Sequence, residues 1–308
     1  MSKQGVLVVV LAAALPLVGA CSRNNIEAVN MANEGDKERG TNVDDAISKY
    51  EQATQLDPTN YRILWKLATA YQKKEQWDKV ALTCSKAEKL APTHADYFYL
   101  HGYAIVQQAE KGPTSWSDAK EPLETAAKLD PNYSDPNFDL GNVYLHLDQE
   151  KDALEHWTKA IEQKPDEVDY YAPLADLYIR LQFLNEAEAV LKEGLNYDKP
   201  GASVGGVFNI HTLYGEVYER KGDWSGAVKE FEAAKKACGA CSDKGQQIAF
   251  FNLGAAYTRI TPPNKAGASG NLKNFQKIIC RGGAAARYAD ECTQAQELLK
   301  NAEGVGAP

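Results

Sequence analysis

Apolar and small residues recur along most of the chain at intervals of three and four positions, the spacing of one face of an α-helix. Residues 137–147 carry the pattern at Phe138, Leu140, Gly141, Tyr144 and Leu145. Residues 152–162 carry it at Ala153, Trp157, Ala160 and Ile161. Turn signals such as Asp130-Pro131 separate such stretches, because proline lacks the N–H that a continuing helix needs. The pattern predicts an all-α chain of short helices.

The helical pattern itself repeats at a period near 34 residues. The turn signals Leu56-Asp57-Pro58, Leu90-Ala91-Pro92, Leu129-Asp130-Pro131 and Lys164-Pro165 follow one another at 34, 39 and 34 residues. A slot for small residues holds Ala46, Val80, Ala119, Ala153, Ala187 and Ala227. An aromatic slot holds Tyr71, Ile105, Tyr144, Tyr178, Tyr218 and Tyr257. Because several slots keep one spacing, each unit is predicted to be a pair of helices with two turns.

In these slots the chain resembles the tetratricopeptide-repeat family. The best unit, Ser134–Glu167, has the consensus residues Leu140, Gly141, Tyr144, Ala153, Trp157, Ala160 and Pro165. The resemblance covers roughly residues 40–260. It implies a right-handed α-α superhelix, a solenoid of about six to seven helix-turn-helix repeats.

The departures from the repeat predict how the solenoid is divided and closed. We expect the array over residues 41–262, and a divergent last repeat with a disulfide-stapled C-terminal cap over 263–308. A solenoid needs such a cap with a polar outer face. Within this frame we expect an insertion near residues 112–116, a glycine-rich linker over 200–207 and a lengthened turn over 262–270.

The N-terminus has the sequence pattern of an export signal. Lys3 precedes an uncharged apolar run, Val6–Leu17, which is shorter than the roughly 20 residues that span a bilayer. Val18-Gly19-Ala20-Cys21 then resembles the lipobox of bacterial lipoproteins. The resemblance implies a signal peptide over 1–20, lipidation at Cys21, and a lipid anchor, tether and start of a divergent first repeat over 21–40. The alternative is an ordinary secretory signal that is cleaved near Ala20.

The lipobox resemblance also bears on location. In enterobacterial lipoproteins an Asp after the lipidated Cys retains the protein at the inner membrane, whereas this chain has Ser22. This implies an outer-membrane, periplasm-facing, lipid-anchored protein, with an inner-membrane or a secreted periplasmic protein as alternatives. The net charge of −8 argues against nucleic acid as a partner, because phosphate binding needs a basic face.

Beyond Cys21 the chain has five cysteines. Cys84 falls in a packing slot and is expected to be a buried thiol. Cys238, Cys241, Cys280 and Cys292 allow three pairings, and export favours disulfides. We expect Cys280–Cys292 and Cys238–Cys241. A redox pair at 238–241 and a zinc site are the rival interpretations. The redox motif, however, normally follows a strand, and zinc would need a second close pair.

No sequence motif points to catalysis. Nucleophile-elbow, zinc-protease, Walker and dinucleotide-binding patterns are missing from the sequence. The five histidines are scattered over four repeat units. We therefore expect that the protein is not an enzyme and that it has no cofactor and no metal site.

The family resemblance implies a partner-binding groove instead. Its first helices line a concave face that binds peptides or partner helices. The corresponding residues are Arg62, Trp65, Thr69, Lys73, Tyr99, Tyr103, Phe138, Asn142 and Asp176. The aromatic members either anchor a partner or pack against one another, and the sequence leaves both interpretations open.

The leading hypothesis is therefore a lipid-anchored periplasmic scaffold that binds protein partners during assembly of an envelope complex. A pilotin-like role in pilus or secretin assembly, or a gliding-motility role, is preferred. An adaptor for envelope proteases or cell-wall enzymes is the alternative. A thiol-disulfide oxidoreductase using Cys238 and Cys241 is more remote. The sequence does not predict the oligomeric state.

Overall fold

A computed structural model describes residues 15–112, 114–243, 245–282 and 285–304. The side chains of residues 15–22 lie outside the description. Most of the predicted signal peptide and the thiol of Cys21 therefore lie outside the described part. Within that part every regular element is helical, which confirms the all-α prediction. No helix there is long and apolar enough to cross a membrane.

The chain divides into two compact units, and the first ends at Leu147. Its helices are α1 (Leu15–Glu38), α2 (Val43–Leu56), α3 (Tyr61–Lys73), α4 (Trp77–Leu90), α5 (Ala95–Lys111), α6 (Lys120–Leu129) and α7 (Ser134–His146). Consecutive helices pair as α1–α2, α3–α4 and α5–α6. Asparagine caps start two of them, since Asn42 and Asn60 each accept a backbone N–H from the following turn.

The small-residue slot sets how closely the helices of a pair approach. Ala46, Val80 and Ala119 are fully buried. A Cβ on Gly102 of α5 would lie 2.5 Å from Leu123 Cγ of α6, so only glycine fits there. The regular 34-residue spacing therefore reflects close helix packing, as the slots predict.

The second unit begins at Asp148. Its helices are α8 (Glu150–Gln163), α9 (Tyr171–Arg180), α10 (Leu184–Leu195), α11 (Val204–Arg220), α12 (Trp224–Cys238), α13 (Ile248–Arg259), α14 (Lys265–Phe275) and α15 (Ala289–Glu303). The pairs are α9–α10, α11–α12 and α13–α14. Trp157 of α8 and Phe231 of α12 are among the largest buried side chains. Each follows a residue of the small-residue slot, Ala153 or Ala227, by four positions, so the two rings occupy equivalent positions and the repeat continues through this unit.

The predicted glycine-rich linker is partly helical, because α11 begins at Val204. Ser203 caps this helix by accepting the N–H of Gly206 at 3.1 Å. A Cβ on Gly206 would lie 2.6 Å from Asp169 Oδ1. Gly206 therefore allows close packing, and the prediction of a linker as far as residue 207 was wrong.

The lengthened turn in the last pair is also shorter than predicted. Asn264 caps α14 by accepting the N–H of Gly267 at 2.9 Å, so the glycines at 267 and 270 are helical. A Cβ on Gly267 would lie 2.8 Å from the ring of Tyr257. Only residues 260–264 separate α13 from α14.

The insertion in the third pair packs against α7. Ser115 caps a short 3₁₀ turn, Trp116–Ala119, that leads into α6. The indole of Trp116 stacks on the imidazole of His146, with ring centroids 3.8 Å apart. The inserted segment is thereby fixed at its C-terminal end.

The C-terminal helix closes the second unit. α15 packs on α14 and α13. Ala295 and Leu299 of α15 join a core that includes Leu272 and Phe275. A disulfide joins Cys280 to Cys292, and a second one joins Cys238 to Cys241. Cys84 is a buried free thiol.

Candidate functional site

The nine groove residues implied by the sequence fall into two sets. Eight lie on α3, α5 and α7 of the first unit, and Asp176 lies on α9 of the second. Within α3, α5 and α7 the residues of the first set are spaced by three or four positions, so those on any one helix share a face of that helix. The first unit therefore holds the larger candidate surface.

The α3 part of this surface mixes charge with one ring. Arg62 and Lys73 are exposed, whereas Trp65 and Thr69 are half-buried. The ring of Trp65 lies 5.0 Å from that of Tyr97, between centroids. Trp65 therefore packs against Tyr97 and keeps part of its surface exposed.

The α5 part continues as a row of aromatic rings. Tyr103 meets Trp77 edge-on at 5.6 Å and lies 5.9 Å from Tyr99. Tyr99 in turn lies 4.9 Å from Tyr133, just before α7. These four side chains, which we call the ring row, are all half-buried. The repeat pattern of the sequence predicted Tyr99 and Tyr103 as groove residues. It did not predict Trp77 and Tyr133, which lie at or beside turns.

Asp139 of α7 lies beside the ring row and was not predicted. Only 6% of the residue is exposed. Its Oδ2 is buried and has no hydrogen-bond partner within the described structure. Burial raises the pKa of this carboxyl to about 7, and the neighbouring charge of Asp135 adds to the effect. Hydrogen bonds from Tyr99 and Asn142 act in the opposite direction.

The remaining α7 groove residues flank this carboxyl. Phe138 and Asn142 precede and follow Asp139 on the helix, and both are half-buried. Asn142 serves here as a hydrogen-bond partner of Asp139. The sequence therefore placed Asn142 on the candidate surface without identifying the group that it contacts.

The electrostatic potential at the ring row is negative, because carboxyl groups lie nearby. Burial raises the pKa of the Tyr99 hydroxyl above its ordinary value, and Asp139 and Asp135 raise it further. Burial also raises the pKa of Tyr103, with Asp139, Glu110 and Glu75 contributing in that order. An anionic ligand would be repelled here, whereas a cation would be attracted.

Asp176 of the second unit has a different environment. Burial raises the pKa of its carboxyl, while the Arg180 and Arg220 charges oppose the shift. Arg220 also makes an ion pair with Glu216 at 2.7 Å. Basic partners are thus already present around Asp176, in contrast to Asp139.

No metal centre emerges from the described residues, which contain no group of three or more His, Cys, Asp or Glu side chains able to hold an ion. The Cys238–Cys241 pair lies where α12 ends, so it follows a helix.

Comparison with known proteins identifies the fold. Residues 42–75, which cover α2 and α3, match the family model described as a tetratricopeptide repeat (TPR). The fold is that of the tetratricopeptide-repeat proteins. No curated protein matches the chain.

Solved TPR structures resemble large parts of the chain. MamA is 25% identical with a TM-score of 0.52, over 57% of this chain and 93% of that one. PilF of Pseudomonas aeruginosa is 17% identical with a TM-score of 0.52, over 71% and 92%. PilW is 16% identical with a TM-score of 0.56, over 71% and 96%. At these identities PilF and PilW support the TPR fold alone.

Proposed function

We propose that this TPR protein is a scaffold that binds a protein partner through the first-helix face of its first unit. TPR proteins bind peptide partners through the concave face formed by first helices. The observation that carries the proposal is the ring row together with Trp65 and the polar groove residues, all within one unit. Half-buried aromatic side chains are typical anchors of protein interfaces.

The core of the first unit does not depend on these groove residues alone. Leu67, Tyr71, Val80 and Ala87 fill the consensus packing slots of the α3–α4 pair and are buried. Trp65 is an additional ring beside this core and retains exposed surface. Surplus aromatic surface of this kind favours binding over a purely structural role.

We further propose that the scaffold is lipid-anchored in a bacterial envelope and acts in assembly of an envelope complex. The lipobox-like run Val18–Cys21 supports the anchor. PilW is described as a widely conserved type IV pilus biogenesis factor, and a pilotin-like role is compatible with the shared fold. Binding, rather than catalysis, is the proposed activity.

The anchor is tested by Cys21→Ala. We expect the variant to leave the membrane fraction, because thiol and amine acylation at Cys21 would supply the chains that hold the protein there. Fractionation in high salt, followed by immunoblotting, measures this. Ser22→Ala is the matched control and should still sediment with membranes. Continued sedimentation of Cys21→Ala would show that the anchor is wrongly assigned.

The binding face is tested by photo-crosslinking in intact cells. A photoreactive amino acid at Arg62 or Lys73, both exposed on α3, should capture the same partner protein. The same probe at Leu82, which is 60% exposed on the second helix α4, should capture much less of it. Mass spectrometry identifies the adduct. Equal capture from Leu82 and Arg62 would contradict binding by the first-helix face.

A further inference from the structure

Asp139 is a buried carboxylate without a counter-ion. Its Oδ2 has no hydrogen-bond partner in the described structure, although 94% of the residue is removed from solvent. Buried polar groups in proteins are nearly always paired, and an unpaired buried charge is costly. A group of this kind therefore calls for a partner that the described residues do not supply.

The charged groups that face Asp139 are acidic. Asp135 comes from its own helix and Glu110 from α5, while Tyr99 and Asn142 contribute neutral polar groups. No Lys, Arg or His of the described chain makes an ion pair with Asp139. Among the described residues no positive charge offsets that of Asp139, in contrast to Asp176, which has two arginines nearby.

Three tyrosines of the ring row interact with the same carboxylate. Tyr99 contacts it directly, and Asp139 raises the pKa of Tyr103 and Tyr133 as well. The three rings are half-buried and keep exposed surface, whereas the carboxylate itself is buried. Aromatic faces attract cations, and desolvation strengthens that attraction.

We propose that Asp139 and the tyrosines of the ring row form a receptor for one cationic side chain, Arg or Lys, on a segment of the partner protein. This inference rests on the proposed scaffold function and specifies the chemistry of its partner. A cation satisfies the orphaned Oδ2 and stacks on the rings at the same time. A divalent metal fits less well, since it needs several oxygen ligands and gains little from phenol rings.

Binding of a cation at Asp139 is linked to a proton. With a pKa near 7, the carboxyl of the empty site holds a proton below neutral pH, and the cation must displace it. The affinity should therefore rise by up to about tenfold per pH unit between pH 5.5 and 7, and level off above pH 7.5. The neighbouring Asp135 and Glu110 carboxyls shape this profile but do not replace Asp139.

The test uses the purified full chain and a phage library of random 12-residue peptides. Selection on the wild type should enrich peptides with Arg or Lys. For synthetic copies of the winners, Asp139→Asn should lower the affinity by at least about thirtyfold, as expected for loss of a buried charge partner. Arg→citrulline in the peptide should do the same. Asp198→Asn, a matched control at an exposed carboxyl of the second unit that is not one of the groove residues, should leave the affinity unchanged.

The outcomes separate this inference from the proposed function. Peptides that bind through Trp65 but carry no basic residue, or that bind Asp139→Asn equally well, would overturn the cation receptor and leave the scaffold intact. Failure to select any peptide would count against both. Free spermidine and arginine amide form a further arm. If either binds as tightly as the peptides, the site takes a free cation, and the proposal of a partner side chain is wrong.

Discussion

Replacing Asp139 by asparagine should make the first unit more stable at pH 8, by up to about 4 kcal/mol. The carboxyl has a pKa of about 7 in the folded protein, against an ordinary value of 3.8. A difference of roughly three pKa units corresponds to about 4 kcal/mol. Asparagine has a similar shape and keeps a carbonyl acceptor for Tyr99, but carries no charge to bury.

The pH dependence fixes the sign of this effect. Below about pH 3.8 the carboxyl is protonated in both the folded and the unfolded chain, so its contribution to stability is fully present. Between pH 3.8 and 7 the folded state keeps a proton that the unfolded chain has lost, so raising the pH favours unfolding. Above pH 7 the penalty is complete.

Denaturant unfolding at pH 4 and at pH 8 measures this difference. The gap between wild type and Asp139→Asn should be small at pH 4 and largest at pH 8. Glu27→Gln, which changes an exposed carboxyl of α1, is the control and should show no such gap. An Asp139→Asn variant that is less stable at pH 8 would mean that the carboxylate has a counter-ion in solution.

Removing the Cys280–Cys292 disulfide should destabilise the C-terminal cap by about 3 kcal/mol. The bond closes a loop with a sequence separation of 12, and loops of this size carry about that much chain entropy. The bond ties α15 to the segment after α14. Without it, the contacts of Ala295 and Leu299 with the core alone hold the cap.

Hydrogen exchange on the double variant Cys280→Ser/Cys292→Ser locates the effect. Exchange should speed up in α13–α15 and change little in α3–α5, because repeat units depend mainly on their neighbours. The comparison variant, Cys238→Ser/Cys241→Ser, opens a separation of only 3 and should have a smaller effect. Equal acceleration along the whole chain would contradict local stapling.

The fold was largely predictable because the repeat encodes close helix packing. Small residues such as Ala46 and Ala153 lie buried where the two helices of a pair pack closely. Their spacing along the sequence therefore indicates where each helical hairpin lies. The glycines at 206 and 267 misled the prediction for the same reason. Each lies in a helix where a neighbouring side chain leaves no room for a Cβ, and in a sequence such glycines are indistinguishable from turn residues.

The candidate site was predictable only in part. Family slots indicate which side chains share a helix face, and Tyr99, Tyr103 and Asn142 were found in this way. Asp139 was missed because its burial depends on rings from a preceding hairpin and from a turn. A slot pattern records which residues belong to a helix face. It does not record how far water is excluded from one carboxyl, and this desolvation is what raises the pKa of Asp139.

The burial of Cys84 limits when its sulfur can react. It is the one free thiol among the side chains that the structure describes, and it is fully shielded from solvent. Burial also raises the pKa of the thiol, so the reactive thiolate is scarce in the native state. Alkylating reagents and oxidants must then wait for α4 to separate from its neighbours. The rate at which this sulfur is modified therefore reports how often the first unit opens locally, without any added label.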